Sequence, residues 1–150
     1  MIEINRYCEA MIEVMNNVNN DLNSETQIRE FIISPTESGL LQKIKDKDGV
    51  LFCSSYPPCD TDATNSDATK DSNTVLLFIL ERVSAGSMDN NEEREHFGKM
   101  QRIAEKVVEK LLAQEYGCDK DFRIKDGIHL EWEYNYGGAN GLSMAFNLEN

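Results

Sequence analysis

A chain of 150 residues and 17.1 kDa can bury roughly two-thirds of its unfolded surface in one domain without a metal or disulfide staple. With 40% hydrophobic and 28% charged residues, it is too apolar for wholesale disorder. Its formal net charge of −12, from 27 acids against 15 bases, repels phosphate backbones and anionic lipids, so neither nucleic acid nor membrane is an expected partner.

Ile4, Tyr7, Cys8, Met11, Ile12, Met15 and Val18 mark one face of an N-terminal helix. The asparagines that follow, with Asp21, favour a turn because their side chains compete for backbone groups. Ser24-Glu25-Thr26-Gln27 has the spacing of a capping box, which predicts a short helix before Pro35, with a strand as the alternative for residues 24–34. Leu40–Ile44 and Val50–Cys53 flank Asp46-Lys47-Asp48-Gly49, and an Asp-Gly step between apolar runs predicts a β-hairpin. Residues 59–74 hold almost nothing to bury and read as a polar, mobile loop. Thr74–Val83 is apolar enough for a central strand covered on both faces.

The last third is the most patterned. Asp89 or Asn90 caps a long helix whose stripe is Phe97, Met100, Ile103, Ala104, Val107, Val108, Leu111 and Leu112. Gly117 has the placement of its C-terminal cap. The period then switches to two, through Ile124, Ile128, Leu130, Trp132, Tyr134 and Tyr136, then Leu142, Met144, Phe146 and Leu148 around a glycine-rich turn. The expectation is a single α+β domain over residues 1–150. It has a mostly antiparallel sheet of about five strands, with the N-terminal and long helices packed on one face.

Chemical motifs are sparse. Asp60, Asp62, Asp67 and Asp71 invite a divalent-cation reading. Counting Asp60 as the first position of an EF-hand loop, however, puts Asn65 where glycine is required and Asp71 in place of the bidentate glutamate. His96 and His129 have no ligand partner at helical spacing, and both read as solvent-side residues. Cys8, Cys53, Cys59 and Cys118 form no C-x-x-C pair and read as thiols, with Cys53 buried in a strand. The glycines at 137, 138 and 141 open a strand rather than a helix, so they do not form a dinucleotide fingerprint, and no cofactor is expected. Glu131, Glu133 and Asn135 share one face of a strand, opposite Trp132, Tyr134 and Tyr136. Two carboxylates there allow an acid/base reading with His129, while the plainer reading is the wet face of a strand whose aromatic face packs on the long helix, with an interaction surface as the alternative.

The segment from Glu131 to Gly138, with Gly141 to Phe146, resembles the C-terminal hairpin of small phage- or prophage-derived proteins of Bacteroidetes-type bacteria. That resemblance implies the α+β build of tail-terminator and head–tail joining proteins, which act as ring-forming structural subunits. Three functions follow as expectations. The first is a non-catalytic structural subunit that self-associates through protein contacts as a homo-oligomer. The second is a cation- or small-ligand-binding module using residues 59–74, and the third an enzyme using Glu131 and Glu133. With neither a signal-peptide pattern nor a membrane-spanning run, the expected location is the cytoplasm, or the virion for a phage component.

Overall fold

The computed structural model describes residues 1–83, 86–115 and 123–149. In chain order they form α1 (Ile4–Asp21), β1 (Ile28–Ser34), α2 (Glu37–Ile44), β2 (Val50–Ser55), β3 (Cys59–Asp62), β4 (Lys70–Arg82), α3 (Asn90–Glu115), β5 (Arg123–Tyr136) and β6 (Ala139–Glu149). The fold is α+β. Its sheet is mixed and six-stranded, not the mostly antiparallel five-stranded sheet expected: the order is β1-β2-β4-β6-β5, β3 pairs with β4 alone, and β1 runs parallel to β2.

Strict alternation in the strands builds two cores. Val50 and Phe52 of β2, Val75, Leu77 and Ile79 of β4, and Leu142, Met144, Phe146 and Leu148 of β6 meet the buried stripes of α1 and α3. Leu51, Cys53, Phe78 and Leu80 point to the other face, where Leu40 and Ile44 of α2 cover them with Ile32 and Tyr136 beside them. The central position expected for Thr74–Val83 is that of β4, between β2 and β6. Burial pushes the Cys53 thiol up to about 12, so it is an inert core group at neutral pH.

Three local expectations are corrected. Residues 24–34 are not a helix: Asn23 organises a turn through Glu25 N and Thr26 N, and β1 starts at Ile28. Asn19 fixes that start, its side chain donating to Ile28 O at 2.9 Å and accepting from Ile28 N at 2.8 Å. Leu40–Ile44 is helical, not the first arm of a hairpin. Thr36 caps α2 by accepting from Gly39 N at 3.1 Å, Glu37 and Lys43 suit the macrodipole, and Leu40 and Ile44 lie one turn apart on the buried face. The turn at Gly49 therefore joins a helix to a strand within a βαβ crossover, which is what lets β1 and β2 run parallel.

Residues 59–74 are a hairpin more than a loop. Thr61 pairs with Asp71 and Asp62 with Lys70, and the turn lies between them. Asp89 caps α3 as expected, its Oδ1 accepting from Glu92 N at 2.9 Å. The cap expected at Gly117, and Cys118, lie outside the described residues.

Candidate functional site

β6 is held on both sides, by β4 along Ser72–Arg82 and by β5 along Arg123–Tyr136. β5 is therefore an edge strand of 14 residues, and among the described residues no strand pairs with its outer side. Two irregularities bracket its middle. Between Lys125 and His129, β5 advances four residues while β6 advances two. Asp126 and Gly127 absorb the excess with φ of 65° and 94°, a left-handed pair that favours glycine. A second irregularity follows Glu133, where Asn135 takes a φ of 56° and its N donates to Asn140 Oδ1 at 2.7 Å.

An insertion of two residues preserves parity. Arg123, Lys125, His129, Glu131 and Glu133 consequently share one face, the one that α2 occupies further along the sheet. His129 Nε2 lies 3.0 Å from Glu131 Oε1, and their side chains are 70% and 65% exposed. The solvent-side reading of His129 holds. Water reaches this carboxylate freely, so the enclosure that an acid/base pair needs is missing around Glu131.

On the opposite face Leu130 and Trp132 stand across from Met144 and Leu142, whose side chains belong to the α1–α3 core. The expected packing of this aromatic face on the long helix is only partial. α3 reaches the strand through Phe97, whose ring meets Trp132 edge-on at 5.7 Å. Leu130, Trp132 and Tyr134 remain 37%, 58% and 72% exposed. The second irregularity also parts Tyr136 from its expected neighbours: it crosses to the α2 face and stacks on Phe78 at 4.5 Å. Asn135 likewise leaves the Glu131/Glu133 row to build the turn. A groove of about 510 Å³ runs between Trp132 and the first turns of α3, floored by Phe97 and rimmed by Glu93, Arg94 and Gln101.

The four candidate metal ligands are not brought together. Asp71 accepts from Thr61 Oγ1 at 2.8 Å and pairs with the N-terminal ammonium, which holds its carboxyl below the usual range. Asp62 closes a local turn by accepting from Thr64 N at 3.0 Å. Asp60 extends from β3, and Asp67 belongs to the turn beyond it. Among the described residues, no three His, Cys, Asp or Glu side chains are placed to hold a metal ion.

One polar cluster is not visible in sequence spacing. His96, expected at the surface, is buried, its Nδ1 lying 3.4 Å from Glu81 Oε1, and Lys99 Nζ reaches both Glu81 oxygens at 3.0 Å. The His96 contact and then Lys99 hold the Glu81 carboxyl below its ordinary 4.5. A carboxyl whose pKa is lower folded than unfolded contributes stability above its unfolded value, and this is lost as pH falls through the folded one. Glu81→Gln should therefore destabilise the protein at pH 7 by about 1–2 kcal/mol of lost charge-assisted bonding, seen as a lower Tm, and flatten the fall in Tm below pH 4.5. Parallel thermal melts of the two proteins from neutral to acid pH check this, and curves that stay equally spaced would refute it.

No described helix is long and apolar enough to cross a membrane. No family model matches this chain, and no curated protein is significantly similar to it.

Proposed function

We propose that this chain is a non-catalytic structural protein that works by protein–protein association through the open edge of β5, as a phage-derived assembly subunit would. The observation that carries the reading is a long edge strand that displays Leu130, Trp132 and Tyr134 to solvent. An unpaired strand edge offers a row of backbone donors and acceptors to another chain, and exposed aromatics at such a place are characteristic interface anchors. The acidic row of Glu131 and Glu133 on the other face limits which partners can approach.

Absolute mass by light scattering, across a wide range of protein concentration, tests the reading. The expected result is a discrete oligomer, or one that grows in as concentration rises. A 17.1 kDa species at every concentration would overturn self-association. The chain's single tryptophan, Trp132, supplies a second readout, since its emission should shift to the blue as the edge is covered.

A further inference from the structure

The charges along β5 are arranged so that the strand complements itself, and from this we infer that its partner is a second copy of this chain, paired antiparallel about a twofold axis at Leu130. The inference rests on the reading of β5 as an association edge and adds the partner, the register and the symmetry. β6 serves as the ruler. His129, Leu130 and Glu131 stand opposite Ala145, Met144 and Ser143; Lys125 stands opposite Asn147 and Glu133 opposite Gly141. On this scale His129 and Glu131 are equidistant from Leu130, and so are Lys125 and Glu133.

A twofold axis normal to the sheet at Leu130 therefore sets Lys125 against Glu133 of the second copy and His129 against Glu131 of the second copy. Each contact occurs twice, as an isologous interface requires. Such an axis also keeps faces on their own sides. The apolar row of Leu130 and Trp132 meets the same row of the second copy, and the charged rows meet on the other face. Moving the axis one residue along the strand, to Glu131, would set Glu131 against itself, a like-charge contact directly across the strands. The two irregularities confine continuous pairing to residues 129–133, with Lys125 just beyond the first of them, so the edge closes a pair of copies rather than offering an open-ended template.

The test combines charge reversal with crosslinking, at about 0.15 M salt, where the Debye length of about 8 Å screens most of the net repulsion between copies. Lys125→Glu and Glu133→Lys should each raise the dimer Kd about tenfold by sedimentation, by turning two attractive contacts into repulsive ones. The double variant, Lys125→Glu with Glu133→Lys, should recover to within about twofold of the parent, because the contacts re-form with reversed sign. Both changed positions are on the solvent-facing edge, and unchanged thermal melts confirm that the fold is intact. Leu130→Cys, at the axis, should give a 130–130 crosslink on oxidation, since directly paired residues have Cα atoms about 4.5–5.5 Å apart. A dimer indifferent to the charge changes, or one that yields no such crosslink, overturns the twofold while leaving association through another register or surface. A monomer throughout overturns both.

Discussion

Gly141→Ala should cost about 3–5 kcal/mol, a large part of the roughly 5–15 kcal/mol that holds a domain of this kind together. Gly141 lies in β6 between Leu80 of β4 and Glu133 of β5, where the sheet is paired on both sides. A Cβ placed there overlaps the carbonyl oxygen of Ile79, with Ile79 C at 2.9 Å and Leu80 Cα at 3.2 Å. These are backbone atoms, so no rotamer change relieves the overlap, and β4 and β6 must separate where both cores meet. Gly98→Ala is the internal control and should move the other way. Gly98 lies within α3, a new methyl there meets only Arg102 Nη1 at 3.7 Å, and a helical glycine gives up about 0.5–1 kcal/mol relative to alanine. Urea unfolding of the two variants and the parent measures both effects. A Gly141→Ala protein within about 1 kcal/mol of the parent would show that this stretch of sheet is more yielding than its geometry implies.

The same glycine shows where reading the sequence stops. Gly137, Gly138 and Gly141 were legible as a turn between alternating strands, but the demand for glycine at 141 comes from Ile79, 62 positions away. The helical stripes of α1 and α3 and the alternation of β6 were legible because each is a local period set by one face on a core. Leu40–Ile44 reads as a strand because five residues are too few to separate the two periods. The Asp-Gly step that favours a hairpin instead turns the chain into β2, four residues after the cap of α2 at Lys45. The parallel pairing of β1 with β2 is a tertiary outcome with no local mark. In β5 the acidic half of the charged row was read as Glu131 and Glu133, and its basic half was missed. The signal was present, since Arg123, Lys125, His129, Glu131 and Glu133 all fall on odd positions. It is hidden by the Asp126-Gly127 irregularity, which reads as the end of the strand unless an even insertion is considered. Exposure of Trp132 also escaped prediction. A stripe on α3 and a stripe on β5 establish that each has an apolar face, but not that the helix axis extends over the sheet's last strand.

Tyr7 separates packing from hydrogen bonding in the main core, and the two contributions should differ several-fold. Its ring is fully buried between α1 and the sheet, and its hydroxyl lies 2.7 Å from Ser54 Oγ in β2. Tyr7→Phe should cost about 0.5–1.5 kcal/mol, the net worth of one buried hydrogen bond, because Ser54 keeps its bond to Ser55 O at 2.7 Å and is not left unpaired. Tyr7→Ala should cost about 3–5 kcal/mol, since it also empties the space of an aromatic ring where α1 meets the strands. Alkaline pH supplies an independent check. Burial raises the Tyr7 pKa well above its ordinary 10.0, so the unfolded chain ionises first. Stability linked to Tyr7 is complete below pH 10 and is lost as pH rises toward the folded value. The phenylalanine variant lacks that proton, so the gap between the Tyr7→Phe and parent proteins should narrow above pH 10 and can reverse. A gap that stays constant from neutral to strongly alkaline pH would mean that the Tyr7 hydroxyl is hydrated rather than enclosed. The α1–sheet contact, and with it the platform beneath β4 and β6 that holds β5 in place, would then be looser than the packing of Tyr7, Met11 and Phe52 implies.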